Sequence, residues 1–383
     1  MTRPLKIAFI GGRGVAGTYS GIETYYEEVG AHLVQRGHQV VAYCRNYFTA
    51  PTPTYRGITV RRLPSLRTKH LDTLVHTFLS TVDALPRGFD VIHYHALGPT
   101  LFAILPRFFG RTTIGSVHGL DWQRAKWGRV ARTVLRACEW TSSRCPSATV
   151  VVSRTLQQHY TASHGRVPHC IPNGVTPIVP RPPQRIKQYG LTRDEFLLFA
   201  GRLSPEKGVH TLLDALRSLP RRMPLVLAGG DSYSGDYIDA LRAAAWEQVR
   251  FLGNVDRETL EELYSNCCAF VLPSAMEGLS VALLEALSAG ACIVTTNIPE
   301  NLEVIGDAGL TFSPGDADAL REHLRALVDD PERRRAYRQR AQAHARTLAR
   351  WDDVARATEQ FYYQLLGSAP EPLGVGAIVG ERK

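Results

Sequence analysis

Short apolar runs alternate with longer stretches whose apolar positions return every three or four residues, and the alternation lasts from Ile7 almost to Leu366. The short runs predict strands at residues 7–10, 39–44, 91–94, 113–117 and 149–152, then at 196–200, 225–228, 250–252, 269–272 and 292–295. Strands separated by amphipathic helices argue for parallel sheets covered on both faces, hence for an α/β class. Between Pro168 and Pro183 six prolines interrupt the pattern, which reads as a boundary. The predicted layout is a first domain at 1–170, a proline-rich linker at 171–191, a second domain at 192–350 and a closing helix with a loose tail at 351–383. Helical periodicity fills 321–350 and 352–366, and no short repeat is visible, which removes solenoids and propellers.

Length agrees with two cores, since 383 residues exceed one ordinary domain and suit two of about 150 to 200. The first apolar run is too short for a secretory leader, and nothing approaches the roughly 18 apolar residues of a membrane span. Seven scattered cysteines without a C-x-x-C pair fit free thiols in a reducing compartment. The expected location is therefore cytoplasmic. Residues 1–180 hold 21 Lys and Arg against 8 Asp and Glu, whereas 181–383 hold 24 against 28. The basic half suits an anionic partner such as a bilayer surface or a lipid diphosphate, which would make the protein peripheral on the inner face of the cytoplasmic membrane. No helix-turn-helix, zinc-finger or aromatic-basic RNA signature accompanies the charge, so no nucleic acid is expected.

Two motifs carry the chemistry. Gly201-Arg-Leu-Ser-Pro-Glu-Lys207-Gly208 lies between a strand and a helix, so Arg202 and Lys207 project from a strand-to-helix turn where two cations can hold a diphosphate. The competing reading is a solvated loop with two surface charges. Seventy positions on, Glu277-Gly278-Leu279-Ser280 follows another strand and opens a helix carrying Glu285. Amides of such a turn meet phosphate or sugar oxygens, and a carboxylate accepts both hydroxyls of a ribose. In this order and context the motifs resemble the retaining glycosyltransferases of family 4, over nearly the whole chain. The resemblance implies a GT-B fold, two Rossmann-like doubly wound domains facing a cleft with the last helix crossing back to the first. It further implies that Arg202 and Lys207 bind the donor diphosphate, Glu285 its ribose and the Glu277 loop the transferred sugar. The nucleobase would be met near Asn254 and Val255, and no metal or other cofactor would be needed.

Gly12-Arg-Gly14-Val-Ala-Gly17 matches the dinucleotide pattern G-x-G-x-x-G, but helical periodicity starts only near Gly21, too late for a tight pyrophosphate turn. Arg45 after the second strand keeps an NADP-dependent oxidoreductase open as an alternative. By resemblance the loop is instead a glycine stretch in which Gly11 and Gly12 admit the donor diphosphate, and Ser20-Gly21-Ile22-Glu23 opens an acceptor-side helix. His118 ends a strand at the carboxyl edge of the sheet and is the leading catalytic candidate beside Arg202, Lys207 and Glu277; in the resembled family a histidine here contacts the transferred sugar. Family members usually place Asp directly after it, whereas here Gly119 and Leu120 precede Asp121. His93 and His95 share one strand face as a conceivable metal pair, with His95 the better cleft residue, and Asp316-Ala-Asp318 reads as a helix cap rather than a metal site.

Asp121, Trp122, Lys126 and Trp127 lead into a segment where Lys126, Arg129, Arg132 and Arg136 share a helical face, a stripe suited to anionic headgroups or a lipid-linked diphosphate; the bland alternative is a solvated face. This run resembles a family 4 subgroup linked to rhamnosyl and other cell-surface polysaccharide transfer. The expectation is a retaining, metal-independent hexosyltransferase taking a nucleoside-diphosphate sugar to a hydroxyl of a lipid-linked or cell-surface glycan. Alternatives are a UDP-sugar 2-epimerase of the same architecture and a silent sugar-nucleotide binding module.

Overall fold

The computed structural model describes residues 3–17, 21–68, 71–124, 127–217, 219, 223–230 and 235–367. The chain forms two compact units, residues 1–174 with 349–383, and residues 175–348.

The first unit carries eight strands, β1 Lys6–Ile10, β2 Gln39–Arg45, β3 Thr54–Tyr55, β4 Ile58–Leu63, β5 Val91–His95, β6 Thr112–Val117, β7 Ala148–Val151 and β8 His169–Cys170, in the order β3-β4-β2-β1-β5-β6-β7-β8. All described pairs are parallel except β3 with β4. Every residue of β5 is buried, as a parallel strand covered on both faces must be. One face packs Phe9, Tyr25, Tyr26, Val29 and Leu33 against Trp351, Val354 and Tyr362. The closing helix Trp351–Leu365 therefore belongs to this unit, and it lies on helix Gly21–Gln35. Glu359 accepts hydrogen bonds from Arg36 and faces His38, while the Tyr363 hydroxyl donates to the Arg3 carbonyl.

Among its described residues the second unit holds six parallel strands, β9 Leu197–Ala200, β10 Leu225–Ala228, β11 Val249–Gly253, β12 Ala269–Leu272, β13 Ile293–Thr296 and β14 Gly309–Phe312, ordered β11-β10-β9-β12-β13-β14. Its proline-rich entry is tied down: Ile178 donates to Ser288 Oγ, and the amides of Gln184, Arg185 and Ile186 converge on Glu262. The predicted helix over 321–350 is two helices, Ala317–Asp329 and Pro331–Ala345. Pro331 cannot continue the first and is well placed to start the second, which Asp330 caps through the Arg333 amide. Asp316 caps the first of the two through Ala319, in keeping with its sequence reading.

Leaving aside the β3–β4 hairpin, the parallel strands of each sheet reverse their order once, between β1 and β5 in the first and between β9 and β12 in the second. Open α/β sheets bind ligands beyond the carboxyl ends of the strands at such switch points. Gly11, Gly12, Arg202, Lys207 and Glu277, singled out by sequence, fall on those loops.

Candidate active site

At the second switch point β9 leads through Gly201 and Arg202 to a 3-10 turn at Pro205–Lys207, and β12 leads through Pro273 to the Glu277 loop. Gly208 adopts φ +68°, and a Cβ there would stand 2.1 Å from the Pro273 carbonyl oxygen, so only glycine lets the two loops touch. The Ala275 amide donates to the Glu206 carbonyl at 2.9 Å across the same contact. This approach puts Lys207 Nζ at 2.6 and 2.8 Å from the two oxygens of Glu277, with side chains only 14% and 8% exposed. The predicted diphosphate cation and the predicted sugar-orienting carboxylate are thus one ion pair. Gly278 and Leu279 continue the loop to Ser280, whose Oγ caps helix Val281–Ser288 at the Leu283 amide.

Glu285, one turn into that helix, is buried and faces Arg257, to which it is hydrogen-bonded, and the Tyr264 hydroxyl donates to it at 3.3 Å. Burial pushes its carboxyl above the ordinary range, and the Arg257 guanidinium beside it pulls it back. Arg257 also donates to Glu261 at 2.8 Å. Sequence reasoning missed Arg257, although it stands two positions beyond Val255. Asn254 is exposed after β11, with its side-chain amide against Gly230.

At the first switch point the expected glycine loop follows β1 from Gly11, and residues 11–17 of it are described before the helix that starts at Gly21. Its amides are taken: Gly12 N–H donates to the Tyr26 hydroxyl at 2.8 Å, Arg13 N–H to Glu23 at 3.0 Å and Gly17 N–H to Glu27 at 3.2 Å. Glu23 is therefore buried holding the loop. A Cβ on Gly11 would meet the His95 carbonyl oxygen at 2.4 Å and one on Gly12 the Tyr26 ring at 2.8 Å, so close packing accounts for both glycines. Arg45 is buried, with Asp72 at 2.5 Å and Thr73 at 3.0 Å. The oxidoreductase alternative finds no support here, because the Gly12, Arg13 and Gly17 amides and the Arg45 cation are engaged within the protein.

His93 and His95 of β5 and His118 just after β6 form a row of three imidazoles. His93 and His95 lie ring on ring, centroids 4.1 Å apart, and His93 spends its nitrogens on the Tyr362 and Ser116 hydroxyls at 2.7 and 2.6 Å. That arrangement is a hydrogen-bonded wall rather than a chelating pair. His95 Nδ1 meets the half-buried His118 at Nε2, 3.2 Å away. Burial lowers the His118 imidazole to about 4, against a smaller opposing effect of Asp121. Asp121 pairs with Arg124 at 3.0 Å. Trp122 Nε1 donates to buried Glu139 at 2.5 Å, and Glu139 also takes His159 and His164 at 2.7 and 2.8 Å. Lys126 lies outside the described residues.

Comparison with known proteins decides the family. Residues 183–344 match the sequence model of Glycosyl transferases group 1, and residues 19–177 match Glycosyltransferase Family 4. Glycogen synthase of Mycobacterium tuberculosis is 31% identical over 293 residues, covering 71% of this chain and 68% of its own. The chain belongs to glycosyltransferase family 4. O-antigen chain mannosyltransferase B of Escherichia coli is 32% identical over 194 residues, 48% of this chain, which spans about half (51%) of that relative's length. Among solved structures, sucrose-phosphate synthase from Thermosynechococcus elongatus superposes with TM-score 0.81 at 22% identity, covering 95% of this chain and 100% of its own. HepE of Anabaena in complex with UDP and glucose gives 0.78 at 20%, covering 94% and 100%. Family 4 membership and these likenesses establish the GT-B fold and an enzyme of glycosyl transfer.

Proposed function

We propose that this family 4 enzyme retains anomeric configuration while moving a sugar from a nucleoside diphosphate to a hydroxyl of a lipid-linked or cell-surface glycan. The observation that carries the reading is the Lys207–Glu277 pair at the second switch point, flanked by the capped start of helix Val281–Ser288. Lys207 and Arg202 stabilise the charge that grows on the departing diphosphate, without a metal ion in that role. Glu277 orients sugar hydroxyls. Glu285 takes the ribose hydroxyls, and Asn254 and Val255 border the base. The acceptor hydroxyl attacks on the face from which the diphosphate leaves and passes its proton to a leaving-group oxygen, since no side chain is assigned the part of a nucleophile. HepE's UDP complex and the names of the mannosyltransferase and glycogen synthase relatives support a nucleotide-sugar donor and a glycan acceptor.

The 2-epimerase alternative needs carboxylates able to move protons, whereas Glu277 and Glu285 are each held by a cation. A thermal-shift panel of UDP, GDP, TDP, ADP and NADP without metal tests the donor reading. One nucleoside diphosphate should raise Tm, equivalent to about 2.7 kcal/mol at a hundredfold excess over Kd. Proton NMR of the product should show the donor's anomeric configuration, and inversion would discard the mechanism.

A second reading concerns attachment. Helix Arg129–Ser142 buries Cys138, Glu139 and Ser142, carries Arg129, Arg132 and Arg136 along one exposed edge, and shows Val130 (80% exposed) and Val134 (52%) on another. Residues 91–180 contain two carboxylates, Asp121 and Glu139, both engaged as described, against ten Lys and Arg. The occupant with matching chemistry is an anionic bilayer surface, which takes the valines into its headgroup layer and pairs the arginines with phosphates. Among the described residues no helix is long and apolar enough to cross a membrane. Attachment of this kind places the enzyme at the inner face of a cytoplasmic membrane, where a lipid-linked acceptor of the rhamnosyl-type subgroup would be met. Co-sedimentation with vesicles that contain phosphatidylglycerol, and not with phosphatidylcholine alone, is the expected result.

A further inference from the structure

His95 closes β5, and His118 follows β6, which pairs with β5 in the register His95 to Ser116. Their rings meet at Nδ1 of His95 and Nε2 of His118, 3.2 Å apart. Two neutral imidazoles joined in this way share one proton. Whichever ring donates carries a bare lone pair on its other nitrogen, and whichever accepts carries its proton there.

The remaining nitrogen of His95, Nε2, is buried without a hydrogen-bond partner. The ring sits among Phe9, Tyr25 and Tyr26, with centroids at 5.3, 5.1 and 4.9 Å. Were His118 the donor, this nitrogen would carry a buried N–H with no hydrogen-bond acceptor, and orphaned buried N–H groups are rarer in proteins than unsatisfied acceptors. Were His95 the donor, the same nitrogen would be a bare lone pair, the milder loss. The ring plane of His95 is set by its stack on His93, which Tyr362 and Ser116 hold by both nitrogens, and in that plane Nδ1 is the atom turned to His118.

We infer that His95 is a positioning residue that donates its Nδ1 proton to His118 and fixes His118 as the tautomer protonated on Nδ1. The inference rests on the reading of His118 as the substrate-facing histidine. Burial lowers both imidazoles, His118 to about 4, so that the pair is neutral near pH 7 as the argument requires. His118 Nδ1 has no protein partner among the described residues, and in this tautomer it presents an N–H. The histidine then recognises an oxygen, of a sugar hydroxyl or a phosphate, as a hydrogen-bond donor, and it is unable to act there as a general base.

The test is the tautomer itself. In the full chain labelled with 15N-histidine, long-range ring proton–nitrogen correlations distinguish Nδ1–H from Nε2–H, and His118 is assigned by the signals that vanish in His118→Gln. The expected spectrum shows His118 protonated on Nδ1; protonation on Nε2 overturns the inference, with no variant at His95 needed. His95→Phe should mix the tautomers and lower kcat on the order of tenfold or more, approaching the hundredfold of an absent donor, with donor KM little changed. His95→Asn restores a donor near the former Nδ1, and should restore the tautomer together with most of kcat. A fixed Nδ1 tautomer in His95→Phe would also overturn the inference. Full activity of His118→Gln would instead refute the substrate-contact reading while leaving the tautomer assignment standing.

Discussion

At the second sheet's switch point the polar groups come as opposite charges, Lys207 on Glu277 and Arg257 on Glu285; at the first sheet's switch point they come as neutral rings and hydroxyls, His93, His95, His118, Tyr26 and Tyr362. Ion pairs suit a ligand that arrives charged, because they hold cations oriented at little net field until a diphosphate competes for them. Neutral imidazoles suit hydroxyls, which need directed donors and acceptors and gain little from a field. Under the proposed function, recognition of charge and recognition of hydroxyls are divided between two sheets of the same plan.

The contrast breaks most severely at Lys207. Lys207→Ala should lower kcat/KM by about a hundredfold or more, from the lost stabilisation of the leaving group. It should also destabilise the fold by about 3 kcal/mol, since Glu277 is left buried without its cation. Adding Glu277→Gln should restore thermal stability but not activity, and a melting curve beside a transfer assay separates the two roles.

Arg257→Met sharpens the same side. Burial already raises the Glu285 carboxyl, and removing the guanidinium raises it further. A carboxyl whose folded value exceeds its unfolded one favours the fold at low pH, and that support is lost as pH rises through the folded value. The variant's stability should therefore fall more between pH 5 and pH 8 than the parent's, by about 1.4 kcal/mol per unit of added shift, and melting curves at the two pH values check it.

The neutral side predicts the opposite slope. His93 and His118 are lowered to about 3 and about 4, while their unfolded counterparts take up protons near 6.5. The unfolded chain then binds more protons between about 6.5 and 4, so stability falls as pH drops through that window. His118→Gln should flatten part of the decline in a series of melting curves. The smallest effect lies outside both switch points: Val130→Ser with Val134→Ser should weaken sedimentation with anionic vesicles and leave transfer to a soluble acceptor unchanged.

What sequence could and could not convey follows from how far apart the interacting residues lie. Strands such as β10 and β12 were legible because a fully buried parallel strand is a bare apolar run. β4 was not, because Ile58–Leu63 carries Arg61 and Arg62 near the sheet edge, with Arg61 paired to Asp83 from helix Leu71–Ala84, and its polarity reads as loop. β8 and β3 are two residues long, below any periodicity. The site residues stood out through strand-turn-helix context, yet their partnerships did not. Seventy positions separate Lys207 from Glu277, and nothing local says that Gly208 brings their loops into contact. Tyr26 was hidden for another reason: an apolar helix position looks like core until its hydroxyl is seen on the Gly12 amide.

The first unit is assembled from both ends of the chain, residues 1–174 with the helix after 348, whereas the second is continuous. During synthesis the continuous unit has all its residues once position 348 has left the ribosome. The histidine wall has to wait for position 362, whose hydroxyl holds His93. Nascent chains therefore pass through a stage in which the unit with the Lys207–Glu277 pair has its complete sequence and the unit with the histidine wall does not. Translation order delays completion of the histidine wall until helix Trp351–Leu365 is made.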